Sequence, residues 1–284
     1  MRLGVAGLMP RDARQVTDEH AARLKQLGLL GVTCLLPQPE TCTRQEMEHV
    51  RAVLGRAGVV AAQANAQYER LIDPDDRLRA AGIKGLQAAC RCAAWLRADS
   101  VYVRPGSLNR AGHWTPHPEN TSAETIERLV ASLEQVVVVA EEERVTLAIE
   151  GHVVSTLDTA ARVKLVLDAV GSPALRVNVD PVNFIPSIPL AFNNRAIIDD
   201  LFDTLGDHVV AAHIKDVVVE DRLVVHIAER PAGQGLLDME YFLRRFEQTC
   251  PDGWVLIEHI PDEAVPDAAA AMRAAAGRAG LAWS

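Results

Sequence analysis

The chain is poor in cysteine, and this shortage excludes one class of protein. Only five of its 284 residues are cysteines. They are odd in number and scattered, and no two form a CxxC pair, so a disulfide framework is not expected. We predict that they are small core residues. They are Cys34, Cys42, Cys90, Cys92 and Cys250.

Long apolar runs and clusters of basic residues are also missing. No stretch approaches the roughly eighteen consecutive apolar residues of a membrane span. The N-terminal segment MRLGVAGLMP has one basic residue and an apolar run too short for a signal peptide. The net charge is -9, and no Lys/Arg cluster suits a nucleic acid or an anionic membrane. We therefore expect a cytoplasmic protein that binds small metabolites, not nucleic acid or membranes.

What the chain does contain is a regular alternation of buried strands and amphipathic helices. With 49% hydrophobic and 24% charged residues it can bury a large core. Segments of helical periodicity separate eight strand-like apolar runs, which predicts one (β/α)₈ TIM barrel of class α/β spanning 1–284 as a single domain. The runs are 3–9, 30–36, 59–64, 100–104, 145–150, 175–180, 209–214 and 254–258. An open doubly wound sheet is the alternative, but no GxGxxG follows the first strand.

A charged or imidazole side chain ends each of the last four strands. Glu150 ends VTLAIE, Asp180 ends LRVNVD, His213 lies at the end of VVAAHI, and Glu258 ends WVLIE. An isolated ionised group loses several kcal/mol of hydration free energy on burial. We therefore expect a common partner of opposite charge to stabilise all four side chains. The carboxyl ends of barrel strands meet at one mouth, and these residues are predicted to ligate a metal there.

The proposed ligands favour a hard divalent cation. Three carboxylates and one imidazole suit Mn²⁺, Mg²⁺ or Co²⁺, and the thiolates of a structural zinc centre are absent. We expect one divalent metal ion per chain, with Mn²⁺ first and Mg²⁺, Co²⁺ or Zn²⁺ as alternatives.

Short motifs along the chain resemble those of the xylose isomerase-like TIM barrel superfamily, the sugar phosphate isomerase/epimerase group. They are IEGH, DPVN, HIKD, PAGQG and IEH, with RPGS and GHW at and after the fourth strand. The resemblance implies that the metal binds adjacent oxygens of a sugar, while Glu150 and Glu258 accept and donate protons. A metal-stabilised enediolate would form when the proton alpha to a carbonyl is removed.

Further residues are candidates for substrate contact or catalysis. His152 follows Glu150 by two positions and is a candidate catalytic residue or a loop hydrogen-bonding group. The candidate substrate-binding residues are Asn183, Lys215, Arg230, Arg104, His113 and Trp114. The other interpretation of Lys215 is an ion pair with Asp216 or a neighbouring carboxylate, and the other interpretation of Arg230 is a surface ion pair. We expect His259, directly after Glu258, to point away from it.

Two functions remain open from the sequence. The first is a metal-dependent sugar isomerase/epimerase. The alternative is a lyase that acts by β-elimination on 3-keto-glycosides, including C-glycoside-type substrates. Thr156 keeps the lyase open, because the ketohexose epimerases that this chain resembles carry a glutamate there. The expected partner is a small sugar or sugar derivative, and a homo-oligomer or a complex with a second subunit is equally open.

Overall fold

The computed structural model describes all 284 residues, and its central element is a closed barrel of eight parallel strands. The barrel strands are β1 (Arg2–Val5), β2 (Gly31–Leu36), β3 (Val60–Ala66), β4 (Ser100–Val103), β5 (Leu147–Ile149), β6 (Leu175–Val179), β7 (Val209–Ile214) and β10 (Trp254–Ile257). Around the barrel they run in the order β1-β10-β7-β6-β5-β4-β3-β2. The eight predicted strands and the (β/α)₈ architecture are therefore confirmed.

Helices surround the barrel and cover the outer faces of its strands. They are α1 (Asp18–Gln26), α2 (Arg44–Arg56), α3 (Asp76–Leu96), α4 (Ala123–Glu143), α5 (Ala160–Val170), α6 (Ile188–Phe192), α7 (Asn194–Leu205), α8 (Met239–Thr249) and α9 (Val265–Arg278). Ser122 caps α4, since its Oγ accepts the backbone N–H of Thr125. Thr159 caps α5 in the same way, with its side chain accepting the backbone N–H of Arg162.

A large side chain at the first residue of β10 packs inside the lower part of the barrel. Trp254 is buried, and its indole Nε1 donates to Asp99 at 2.6 Å. The neighbouring strands supply glycines: a Cβ at Gly31 would lie 2.4 Å from the Trp254 ring, and one at Gly4 would lie 2.5 Å from the Gly31 carbonyl oxygen. The absence of a side chain at Gly31 makes room for the indole, and its absence at Gly4 lets β1 lie close to β2, so the lower part of the barrel is tightly packed.

A two-stranded antiparallel hairpin lies beside the mouth of the barrel and was not predicted from the sequence. It consists of β8 (Asp216–Val219) and β9 (Ile227–Arg230). The buried carboxylate of Asp216 fastens its base, because it accepts backbone N–H groups from Val217, Gly233, Gly235 and Leu237 at 2.8–3.1 Å. One carboxylate thus connects the hairpin to the PAGQG loop.

The cysteines behave as predicted. All five are free thiols, four of them buried and Cys250 partly so. No helix in the structure combines the length and the apolar character that crossing a membrane requires.

Candidate active site

The four charged strand ends meet at the upper mouth of the barrel, as the strand order requires. Their strands are consecutive neighbours, β5, β6, β7 and β10. Glu150, Asp180, His213 and Glu258 are each at most 5% exposed. His213 Nδ1 lies 2.7 Å from Glu258 Oε2 and 3.1 Å from Glu150 Oε1. Two carboxylates therefore converge on one imidazole nitrogen in a region that water hardly reaches.

A second layer of polar side chains inside the barrel orients this group. Glu150 accepts hydrogen bonds from the Tyr102 hydroxyl at 2.5 Å and from the Asn178 amide at 2.7 Å. His213 Nε2 lies 3.0 Å from Gln63 Oε1. Since an amide oxygen can only accept, Nε2 carries the proton of this bond. These three supporting residues were not predicted from the sequence; the signal for each was a polar side chain within a mainly apolar barrel strand.

The geometry at His213 provides a test of whether a cation fits the site. With its Nε2 proton held by Gln63, His213 directs Nδ1 at two carboxylate oxygens, 2.7 Å from Glu258 and 3.1 Å from Glu150. The two carboxylates favour positive charge at this point, which a proton on Nδ1 supplies and which a metal ion between the three side chains would supply when bound. The donor chemistry, three carboxylates and one imidazole held by polar neighbours, therefore fits a divalent cation.

The side chains are not yet arranged as a coordination sphere. No three His, Cys, Asp or Glu side chains are placed so that they could hold a metal ion. The buried ammonium group of Lys215 lies between two of the candidate ligands, 2.5 Å from Asp180 Oδ2 and 2.6 Å from Glu258 Oε1. Lys215 thus faces the mouth and pairs with these carboxylates, not with Asp216. Metal binding would require the carboxylates to adjust around it.

Charge and burial strongly perturb the pKa values of the group. Burial alone would lower the pKa of His213, but the charges of Glu258 and Glu150 outweigh it and raise the pKa to about 10. Burial raises the pKa of Asp180 to about 7, although Lys215 opposes the shift. Burial likewise acts to raise the pKa of Glu258, yet Lys215 and His213 hold it well below its ordinary value. The cluster therefore attracts positive charge, which a divalent ion would also supply.

A small cavity of about 150 Å³ lies above the cluster. Its wall includes Tyr102, His213 and Glu258 from the cluster, together with Arg104, Trp114, Thr33, Leu35, Asn65, Ala6 and His259. This combination of a charged floor, hydroxyl and amide groups and an indole suits a molecule of about the size of a monosaccharide.

Two predicted substrate-binding residues, Arg104 and Trp114, lie in the cavity wall. The Arg104 guanidinium donates to Asn65 Oδ1 at 2.8 Å and stacks over the Tyr68 ring. Trp114 packs against the imidazole of His152, with ring centroids 5.7 Å apart. The loop after β4 therefore brings its tryptophan to the site.

His152 lies near the carboxylates, and its surroundings favour the neutral form of the ring. Burial, followed by the positive charge of Lys215, lowers its pKa to about 4. Its Nδ1 accepts the backbone N–H of Val154 at 3.2 Å, which leaves the proton of the neutral ring on Nε2. His152 is thus a neutral imidazole at neutral pH.

Three other candidates lie outside the cavity wall. His113 packs edge-on against Tyr68, and burial lowers its pKa to about 4. Asn183 is buried next to Asp180, whose Oδ1 accepts its backbone N–H at 3.4 Å. Arg230 pairs with Glu220 at 3.2 Å on the hairpin surface. Their roles in substrate binding remain predictions.

Two residues near the site were not expected there. His259 lines the cavity, and its Nδ1 lies 3.6 Å from Glu258 Oε1, so the expectation that it points away is wrong. The reason is its backbone: φ is +53°, which breaks the alternation of side chains at the end of β10. Glu229 of the hairpin lies 3.2 Å from His259 Nδ1 and 3.6 Å from Lys215 Nζ. The chain folds the hairpin's carboxylate back toward the mouth.

Comparison with known proteins identifies the family. The family model described as "Xylose isomerase-like TIM barrel" matches residues 21–276, and the chain belongs to this family. No curated protein matches the chain.

Solved structures of similar fold include sugar epimerases and a magnesium complex. The 3-keto-D-glucoside 4-epimerase of E. coli is 18% identical over 96% of this chain and 99% of that chain, with a TM-score of 0.72. A D-psicose 3-epimerase, solved in the presence of D-fructose, is 17% identical over 99% and 100%, with a TM-score of 0.74. A xylose isomerase-like TIM barrel protein from Mycobacterium smegmatis in complex with magnesium is 13% identical over 98% and 96%, with a TM-score of 0.73. At these identities the likeness shows the fold.

Proposed function

We propose that the protein is a divalent-metal-dependent sugar isomerase or epimerase that removes a proton alpha to a carbonyl. The observation that carries the proposal is the convergence of Glu150 and Glu258 on His213 Nδ1, at 3.1 and 2.7 Å, under a polar cavity. Glu258 and His213 line that cavity, and Glu150 adjoins it through its contact with His213, so two fixed carboxylates are available for the proton removal and proton return that the reaction requires. The sugar epimerases of the same fold support this choice of reaction class.

Glu258 is the group that we assign to proton removal. Its pKa is well below the ordinary value, because Lys215 and His213 outweigh the effect of burial, so it is ionised at neutral pH. Its two oxygens have separate neighbours, Oε1 near Lys215 and Oε2 near His213. These contacts hold the carboxylate in one orientation, which lowers the entropic cost of aligning it with the substrate proton.

Glu150 is assigned to proton return on the other side of the substrate. Tyr102 and Asn178 each donate to one of its oxygens, which fixes the carboxylate plane. For epimerisation the carbon must lie between Glu150 and Glu258. The enediolate formed in between carries negative charge, and the ammonium of Lys215 lies close enough to Glu258 to favour such charge.

The residues that would hold the metal are Glu150, Asp180, His213 and Glu258, and Mn²⁺ is the ion that we propose. When bound, a divalent cation supplies Lewis acidity toward a carbonyl oxygen and its neighbouring hydroxyl. Around it, Arg104 and Trp114 orient the sugar, and the Trp114–His152 contact covers one side of the cavity against water.

Proton exchange tests this function without knowledge of the natural substrate. Ketoses, including D-fructose and D-psicose, and 3-keto-D-glucosides would be incubated with the protein and Mn²⁺ in D₂O. We expect deuterium at the carbon alpha to the carbonyl, and an isomer of the starting sugar, by NMR. Incubation with the metal-loaded Glu258→Gln variant is the control. Equal incorporation by both proteins, or none by either, would contradict the proposal.

A lyase acting on 3-keto-glycosides is the second candidate, and one observation favours it. An epimerase needs two proton-transferring groups, but the neutral imidazole of His152 adds a third near the carboxylates. Elimination begins with the same removal of an alpha proton and ends with the loss of the aglycone. The D₂O experiment distinguishes the two outcomes, since only the lyase releases a free aglycone.

A further inference from the structure

A second, larger cavity adjoins the one above the carboxylates. It measures about 330 Å³ and lies at the mouth beyond β2 and β3. Leu35 and Asn65 line both cavities, so the two cavities lie side by side and share these side chains as a common wall. A ligand that occupies both cavities must therefore pass Leu35 and Asn65.

The wall of the inner cavity on this side has unused hydrogen-bonding groups. Thr33 Oγ1 and Arg104 Nε are buried polar atoms without a partner, in side chains that are 2% and 6% exposed. Both residues line the inner cavity. A buried donor without a partner loses about 1–3 kcal/mol, and a hydroxyl-rich ligand in the cavity would restore its hydrogen bond. These atoms indicate that a polar ligand binds on the β2–β4 side.

The outer cavity combines a cation, an amide and an apolar wall. Arg11 and Gln67 are exposed at its rim, and Leu36 and Pro37 form the apolar part. Guanidinium and amide groups bind hydroxyls and carboxylates, while the apolar faces of sugar rings pack against aliphatic side chains. This lining suits a second sugar or another hydroxyl-bearing group.

We propose that the substrate is a glycoside and not a free monosaccharide. The keto-sugar ring occupies the inner cavity, and its hydroxyls bind Thr33 and Arg104. The glycosidic bond passes between Leu35 and Asn65, and the second sugar or polar aglycone occupies the outer cavity beside Arg11 and Gln67. This assignment rests on the proposed function for the reaction at the inner ring, whereas the outer cavity defines the substrate class.

A matched series of probes tests the assignment. The probes are 3-keto-D-glucose, its methyl glycosides and its glucosyl glycosides, in both anomeric forms. We expect kcat/KM for alpha-proton exchange to be at least tenfold higher for one glucosyl glycoside than for the free sugar, mainly through KM. Arg11→Ala should reduce this ratio to about one. Gln67→Trp, which places an indole in the outer cavity, should reduce it further.

A control variant and a binding measurement distinguish a failure of the glycoside assignment from a failure of the proposed reaction. Arg91→Ala removes an exposed arginine of α3 that lines neither cavity, and its ratio should equal that of the wild type. A wild-type ratio of one or less, with the free sugar turned over, overturns the glycoside assignment and leaves the proposed function standing. Isothermal titration calorimetry tests the opposite case, in which the glycoside binds but no reaction occurs. If no probe is turned over but the glucosyl glycoside binds more tightly than 3-keto-D-glucose in an Arg11-dependent way, the outer cavity is supported and the reaction class falls.

Discussion

The two carboxylates that converge on His213 make the most direct prediction at the scale of single residues. Glu258→Gln keeps the size of the side chain but removes its basicity, so the rate of alpha-proton exchange should fall at least about a hundredfold while the fold persists. Glu150→Gln should behave similarly and also bind metal less tightly. The measurements are NMR exchange rates and circular dichroism. Glu263→Gln, at an exposed position, is the control. Near-normal exchange in both site variants would remove their proposed roles.

His152 distinguishes the two candidate reactions. In an epimerase Glu150 and Glu258 supply both proton transfers, so His152→Ala should raise the barrier by less than about 2 kcal/mol. In a lyase the imidazole takes part in the elimination, and the loss should exceed about 4 kcal/mol. The measurement is kcat/KM on a free ketose and a 3-keto-glycoside. An intermediate loss on both substrates would show that neither assignment describes His152.

Lys215 should support the fold as well as the site. It neutralises Asp180 and Glu258 in the interior, and Lys215→Met leaves these carboxylates buried without a counter-charge. We expect a loss of about 3 kcal/mol or more in the free energy of unfolding without metal. Added Mn²⁺ should recover part of the loss, because a divalent ion replaces the missing positive charge. Urea unfolding with EDTA or with Mn²⁺ measures both effects.

The comparison for Lys215 is Lys164, which pairs with Asp168 at the exposed surface of α5. Lys164→Met should change the free energy of unfolding by less than about 1 kcal/mol, since exposed ion pairs contribute little. If the two lysine variants lost equal stability, the buried ion pairs of Lys215 would stabilise the fold no more than the exposed pair of Lys164.

At the scale of elements, the β8–β9 hairpin depends on Asp216. Asp216→Asn leaves a single side-chain oxygen for backbone N–H groups that the carboxylate now binds, including those of Gly233, Gly235 and Leu237. We expect a loss of about 2 kcal/mol or more and faster amide hydrogen exchange over 231–237. Asp221→Asn, on the exposed hairpin tip, should leave these amides protected. Unchanged exchange in Asp216→Asn would refute the role given to the carboxylate.

The β8–β9 hairpin could not be predicted from the sequence, unlike the barrel strands. The eight barrel strands were predictable because buried parallel strands are continuous apolar runs. The sequence of β9 contains the charged residues Glu229 and Arg230 and is typical of a loop. The position of the Glu229 carboxylate near Lys215 was therefore not predicted. The prediction for His259 was wrong because it assumed that side chains keep alternating between the two faces of β10. The positive φ of His259 ends that alternation, and a positive φ cannot be inferred from the pattern of apolar and polar residues.

The strand ends were predictable for the opposite reason. Glu150 and Asp180 each follow an apolar run directly, and the meeting of strand ends in a barrel brings them together without any need for side-chain detail. The supporting contacts of Tyr102, Asn178 and Gln63 depend on which polar side chains face inward across the barrel, and spacing in one strand does not reveal partners on another.

For the whole molecule, metal should stabilise the fold. A ligand that binds only the folded state adds stability, about 2.7 kcal/mol at a hundred times its Kd. Treatment with EDTA should therefore lower Tm, and Mn²⁺ should restore it. Asp180→Asn should show a smaller rise with Mn²⁺ than the wild type. Elemental analysis of protein purified without chelator should find about one divalent ion per chain. No metal and no thermal shift together would exclude the proposed centre.

The order of residues along the chain has a consequence for adaptation. The proposed metal ligands all lie between 150 and 258, whereas the polar groups of the β2–β4 wall and of the outer cavity lie between 11 and 104. A library of variants confined to codons 11–104 that keeps Gln63 and Tyr102, the partners of His213 and Glu150, would thus change aglycone preference and leave the proton-transfer residues unchanged. Crossing the first half of this gene with that of a relative should yield chimaeras that differ in what they accept more than in the reaction they perform.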